Sequence, residues 1–160
     1  MTDTLTKHEK NLSALLHAST FSKFFFPFGN FIVPLVLWTA NKNEYRFVDY
    51  NGKQVLNFQL SLLLYSIVLG VISIPLFIGF LPNIFEFGNF SFGNINDFNR
   101  FNFHFNSDNF QFGSWLIPLG ITGLLHTALF VLNIVYTILG VIKTNEGEKF
   151  SYPLTIKFIK

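Results

Sequence analysis

His126 and Asn133 are polar residues set where polarity is expensive. Both fall in residues 109–142, a run without a single Asp, Glu, Lys or Arg. At about 100° per residue, Thr122, His126, Asn133, Thr137 and Gly140 share one helical face. An imidazole that titrates near neutral pH, set beside amides and hydroxyls, can carry protons or line a hydrophilic path. Leu129 and Phe130 fill the turn between His126 and Asn133, however, and an apolar plug divides the face in two. A second uncharged run, 54–85, carries Ser66, Gly70 and Ser73 at i, i+4 and i+7, with Gln59 two turns before Ser66. Small and weakly polar residues on one face let helices approach closely and hydrogen-bond across the contact. Both stripes read as helix-packing surfaces, because neither run holds the carboxylate that a proton- or ion-coupled path needs.

A third group, Asp49, Lys53, Asn57 and Gln59, stands where the first uncharged run begins. Asp49 is placed to cap a helix that runs through Lys53, and the four together form a candidate cytoplasmic docking surface. Enzymatic chemistry requires a nucleophile with a base, paired carboxylates or a ligated metal. No spacing here sets Ser and His on one helix face with an orienting acid. His104 and Asp108 are neighbours in sequence, but one His and one carboxylate do not make a metal site. No catalytic, cofactor-binding or metal residue is assigned, and the chain reads as a non-enzyme without cofactors.

The elements that position these residues follow from composition. Half of the chain is hydrophobic, 23 residues are Phe and only 12% are charged, against about 25% in soluble domains. A soluble fold of 160 residues could not hide that much apolar surface; lipid as solvent removes the difficulty. With no Cys, disulfides and thiolate sites are excluded. The net charge of +2 is mild, and the basic residues are scattered around apolar runs rather than gathered as a nucleic-acid footprint.

A bilayer core needs roughly 20 apolar helical residues, so full spans are expected over 55–81 and 115–142. Pro75 would kink the first, and Pro118 lies in the opening turn of the second, where it is tolerated. The N-terminal apolar region is broken by Pro27-Phe28-Gly29-Asn30, which makes it either one kinked helix or a hairpin with arms 10–26 and 29–41. Lys7 and Lys10 precede it, and Lys42, Arg46 and Lys53 follow it. Lys143, Lys149, Lys157 and Lys160 follow the last span, whereas 82–113 holds Arg100 as its one basic residue. The positive-inside rule puts both termini and the 41–53 connection in the cytoplasm, and that requires the hairpin, with Lys23 near its turn snorkelling to the far interface. A cleaved signal peptide is the competing reading, but the apolar run resumes after Ser22 as it should not for a secreted product. The fold class is therefore an all-α, multi-pass membrane protein with four membrane-embedded segments in a single domain, ending in a cytoplasmic tail at 143–160. The loop 82–113 alternates Phe with Asn and small residues; 85–92 reads as a β-hairpin, and a disordered low-complexity loop is equally compatible.

Three stretches carry a family resemblance. They are Asn11-Leu12-Ser13-Ala14-Leu15-Leu16 with Pro27-Phe28-Gly29-Asn30 and Pro34-Leu35-Val36-Leu37-Trp38; Phe47-Val48-Asp49, Gly52-Lys53 and Leu56-Asn57-Phe58-Gln59; and Lys143, Asn145, Gly147-Glu148 and Tyr152-Pro153-Leu154. This pattern resembles the Tic-twenty-like proteins, small bacterial membrane proteins of unknown function grouped with a chloroplast inner-envelope import component. The resemblance implies four membrane helices, both termini on one side and no enzyme activity. Asn11 departs from it, standing where such proteins often carry His, and the Phe/Asn-rich loop looks like an insertion. The expectation is a non-enzymatic scaffold or accessory subunit of the bacterial inner membrane that acts through helix contacts. Its partners would be the lipid bilayer and a membrane protein or second copy, not nucleic acid. The alternative is a component of a protein-translocation or channel-like assembly.

Overall fold

The computed structural model describes residues 5–80 and 112–160, with side chains at 5–74 and 119–160. The expected β-hairpin at 85–92, the pair His104 and Asp108, and the side chains of Pro75 and Pro118 lie outside these residues. Among the described residues all regular structure is helical: α1 (Lys7–Ala18), a 3-10 helix (Ser19–Phe24), α2 (Gly29–Asn41), α3 (Arg46–Phe80) and α4 (Phe112–Glu146). The last two positions of the expected 82–113 loop belong to α4.

The first helix starts at a capping box. The Thr6 hydroxyl accepts from the Glu9 amide at 3.2 Å, and the Glu9 carboxylate accepts from the Thr6 amide at 2.8 Å. The expected arm 10–26 is not one α-helix. Ser19, Thr20 and Ser22 each donate to a carbonyl three residues back, at 2.6–2.9 Å. These bonds accompany a tightening from α to 3-10 winding. The chain then reverses through Pro27 and Phe28, the latter left-handed at φ 61°. Gly29 permits the return: a Cβ there would stand 2.5 Å from the Ser22 carbonyl oxygen. This close approach joins the start of α2 to the 3-10 segment.

The helix α3 begins well before the apolar run and is 35 residues long, about 52 Å. Asp49 does not cap it; it lies within the first turns, and its carboxylate accepts from the Trp38 indole at 2.9 Å and pairs with Lys53 at 2.7 Å. Phe47, Val48, Asn51, Gly52, Val55 and Leu56 are buried in helical alternation. A Cβ on Gly52 would overlap the Trp38 ring, so this glycine lets α2 close against α3.

The contacts divide the chain into two compact units, residues 1–66 with 128–160 and residues 67–127. The first holds two apolar clusters. One joins Leu16, Trp38, Val48 and Leu56; the other joins Val55, Phe58, Leu62 and Tyr152. In the second unit Ile67, Val71, Ile72, Ile121 and Leu124 are all exposed.

Two helical stretches, Arg46–Ile74 and Leu119–Glu146, are long and apolar enough to cross a membrane, with 39% and 17% of their most apolar windows buried. The core helix of a water-soluble protein would be mostly buried. These helices instead turn Leu, Ile and Val side chains outward, as a lipid-facing surface requires. The chain is a membrane protein whose regular structure among the described residues is all helical, with two helices of spanning length. The two N-terminal arms are shorter, 12 and 13 residues, or about 18 and 20 Å.

Candidate functional site

The site is a buried polar seam between the first arm and α4, which run antiparallel. Lys10 reaches the Glu146 carbonyl at 3.4 Å. A Cβ on Gly140 would stand 2.5 Å from the His17 Nδ1. Thr20 meets Thr137 at 3.4 Å, and Phe24 packs edge-on against Phe130. Gly140 is small because His17 occupies the space a side chain would need.

His17 is fully buried and uses both ring nitrogens. Nδ1 lies 2.6 Å from the Tyr152 hydroxyl and Nε2 lies 3.2 Å from Asn51 Oδ1. The Asn51 amide nitrogen is committed to the Phe47 carbonyl at 2.9 Å, which leaves Oδ1 to accept. Nε2 therefore carries the proton, and Nδ1 accepts from Tyr152. Burial raises the Tyr152 hydroxyl well above its ordinary titration range, which keeps that proton in place. The Tyr152 ring stacks on Phe58 at 4.1 Å and 12°.

A second network adjoins at Thr20, whose hydroxyl bonds the His17 carbonyl at 2.9 Å and contacts Thr137. Thr137 donates to Asn133 Oδ1 at 3.3 Å. Asn133 and Gln59 bond at 3.3 and 3.4 Å, and Asn30 donates to Gln59 at 3.0 Å. Buried amides and hydroxyls are costly unless paired; here each one that joins α1, α2, α3 and α4 has a partner.

The segment after α4 completes the seam. Gly147, at φ +91°, ends α4 with its amide on the Thr144 carbonyl, while the Glu148 amide reaches Lys143. The chain then passes Tyr152 and reverses at Leu154, φ 58°. Three α3 residues one turn apart hold its backbone. Tyr65 donates to the Leu154 carbonyl at 2.8 Å, and Ser61 accepts from the Ile156 amide at 2.8 Å. Asn57 accepts from the Phe158 and Ile159 amides at 3.0 and 2.8 Å and donates to the Ile159 carbonyl at 2.9 Å.

The polar face of α4 is thus divided. Thr137 and Gly140 meet the first arm and Asn133 meets Gln59 of α3, while Thr122 and His126 belong to the other unit. There the His126 Nδ1 donates to the Thr122 carbonyl at 2.8 Å. Ser73 bonds back to Leu69 at 2.6 Å, Ser66 is half-buried, and a Cβ on Gly70 would meet nothing within 4 Å. Asp49, Lys53, Asn57 and Gln59 do not converge. The first two pair at the Trp38 indole, Asn57 holds the tail, and Gln59 points into the seam. Among the described residues no group of three His, Cys, Asp or Glu could hold a metal ion.

A family model described as the magnetosome magnetite crystal formation protein family (MamF_MmsF) matches residues 8–159. The chain belongs to that family. This finding overturns the resemblance to the Tic-twenty-like proteins. The residues that carried it have packing roles in this magnetosome-family fold: Asp49 and Gly52 fit against Trp38, and Asn57 and Gln59 tie the tail and the seam. Such residues report a way of closing helices rather than a lineage or an import activity. No curated protein and no solved structure matches the chain.

Sequence alone assigns no site role to His17, Thr20, Asn51, Ser61 or Tyr65, and Asn30 and Tyr152 enter only as part of a chain break and a family resemblance. Two signals were available. His17 is a lone imidazole in an apolar run, and 150–158 alternates apolar with other residues as an extended segment does.

Proposed function

We propose that the chain is a non-enzymatic scaffold of the magnetosome membrane that takes part in magnetite crystal formation through helix contacts. The observation that carries this reading is the seam itself. The buried His, Tyr, Asn, Gln and Thr side chains satisfy one another across four helices and the tail, which is how a rigid membrane body is built rather than a reaction centre. The family match supplies the setting. With the import-component resemblance overturned, the translocation reading has lost its support.

The reading includes four membrane-embedded segments. Lys10 beside Glu146, and His8 against Tyr45 with ring centroids 5.6 Å apart, bring the start of α1, the α2–α3 connection and the end of α4 to one end of the first unit. The first arm and α2 therefore enter and return from that side. Lysines gather there, so that side is cytoplasmic, and both termini lie on it. A membrane protein or a second copy of the chain is the partner, meeting the exposed apolar faces.

Two measurements test the proposal. Cells lacking the chain should form magnetite crystals of altered size or number by electron microscopy, with recovery on re-expression; unchanged crystals would defeat it. Single cysteines at Asn43 and Glu148 should react from one face of sealed vesicles and a cysteine at Asn96 from the other. Asn43 and Glu148 labelling from opposite faces would remove the hairpin topology.

A further inference from the structure

The hairpin turn presents Phe24, Phe25, Phe26 and Phe28 outward, with Phe25 87% exposed. Lys23 lies among them. Its ammonium stands 5.1 Å from the Phe24 ring centroid and 5.2 Å from that of Phe130. It makes no ion pair among the described residues, whose salt bridges all belong to Lys53 and Lys143. Two aromatic faces hold a cation in place without neutralising it.

The depth of that cation follows from the antiparallel register. Phe130 lies 12 residues before Ile142, the last residue ahead of Lys143, or about 18 Å along the helix. In a hydrocarbon layer of about 30 Å, the ammonium passes the midplane and stops roughly 12 Å short of the opposite headgroups. An unpaired ammonium at that depth is costly, and the cost is relieved by snorkelling, by local bilayer thinning or by a water defect. The gap exceeds what the side chain spans, so the headgroups have to approach.

The geometry points to the hairpin tip as a lipid-phosphate site. Lys23, walled by Phe24 and Phe130, draws the phosphate of a phospholipid from the leaflet opposite the termini down to the tip, and the exposed Phe side chains take up the displaced acyl chains. The bilayer is thinned locally where the hairpin ends. This inference rests on the embedded-hairpin topology above and adds a ligand to it. Opposite charge selects the occupant, since a phosphate is the anion a bilayer offers at that level, and an uncharged helix would leave the ammonium unpaired.

The test uses the full chain, which has no native Cys, reconstituted in phosphatidylcholine vesicles with a nitroxide on Phe25→Cys. The label should be relaxed by dissolved oxygen more than by a water-soluble nickel chelate, with the opposite preference at Glu148→Cys. Chelate preference at both positions would overturn the embedded hairpin, and the phosphate site with it. With the hairpin embedded, the label should broaden the lipid phosphorus resonance. Lys23→Gln should reduce that effect severalfold, while Lys23→Arg keeps it. Equal broadening in all three would overturn the phosphate site and leave the topology standing. As a second readout, thermal stability should be greatest in short-chain lipid for the parent protein, and the optimum should shift to longer chains in Lys23→Gln. An unshifted optimum would also overturn the site.

Discussion

The Tyr152 hydroxyl lies 2.6 Å from Nδ1 of His17, a buried contact between residues 135 positions apart in the chain. With Asn51 holding the imidazole proton on Nε2, Nδ1 is left to accept from this hydroxyl, and the contact ties the tail to the first helix. The stack on Phe58 and the hydrogen bond to His17 are separable contributions, because they use different parts of one side chain.

Tyr152→Phe should therefore keep the stack and lose the bond. The unpaired Nδ1 would cost about 1–3 kcal/mol, read as a lowered thermal midpoint in detergent. Tyr152→Ala should cost more by leaving a cavity against Phe58. Equal stability of Tyr152→Phe and the parent protein would show that the bond contributes nothing.

Gly140→Ala should be destabilising by roughly 1–3 kcal/mol, because the new Cβ meets the His17 ring at 2.5 Å. The comparison is Gly70→Ala, where nothing lies within 4 Å. There the gain in helix propensity should leave stability unchanged or raise it by up to about 1 kcal/mol. Proteolysis of the first arm should quicken in the former variant and not in the latter.

Asn57→Leu should free the tail. It removes one acceptor of two backbone amides and one donor to a carbonyl, at about 1 kcal/mol per bond. Carboxypeptidase should then trim residues 155–160 faster than in the parent protein. Ser61→Ala, which loses one partner, should give a smaller effect. Unchanged trimming in both would mean that the tail is held by its apolar side chains alone.

Ser13→Ala should be neutral or stabilising by up to about 1 kcal/mol. The Ser13 hydroxyl is buried with no hydrogen-bond partner, and removing an unsatisfied polar group recovers its desolvation cost. A clear loss in thermal stability would show that this oxygen has a partner in the membrane, with water the first candidate.

The helical class and the two spanning-length helices were legible because charge-free runs of that length have few other fates. The true start of α3 was legible too, but it was written as periodicity rather than as apolarity. Phe47, Val48, Asn51 and Gly52 repeat at helical spacing among Arg46, Asp49 and Lys53, and a search for uncharged runs passes over them. The seam was half-legible. Asn133, Thr137 and Gly140 share a face with His126, but the sequence does not say that Thr137 and Gly140 meet the first arm and Asn133 meets Gln59 while His126 lies in a separate unit. The tail was not legible. Asn57, Ser61 and Tyr65 sit one turn apart on α3, yet the groups they bind are 89 to 102 positions away, and no local pattern announces so distant a partner. The four residues of the docking group are dispersed for a related reason. Residues near in sequence point around the helix in different directions, so Asp49 and Lys53 end at the Trp38 indole while Gln59 ends in the interior.

The antiparallel pairing of the first arm with α4 also sets a timetable. His17 leaves the ribosome more than 120 residues before Gly140 and Tyr152 exist. At about 5–20 residues per second, that interval is on the order of ten seconds. Throughout it, a nascent hairpin bearing an unmated imidazole and a row of hydroxyls must be sheltered by water at the bilayer surface or by the insertion machinery. Late closure of this kind makes the yield of folded protein depend on what guards the hairpin during translation, and not on the stability of the finished seam alone.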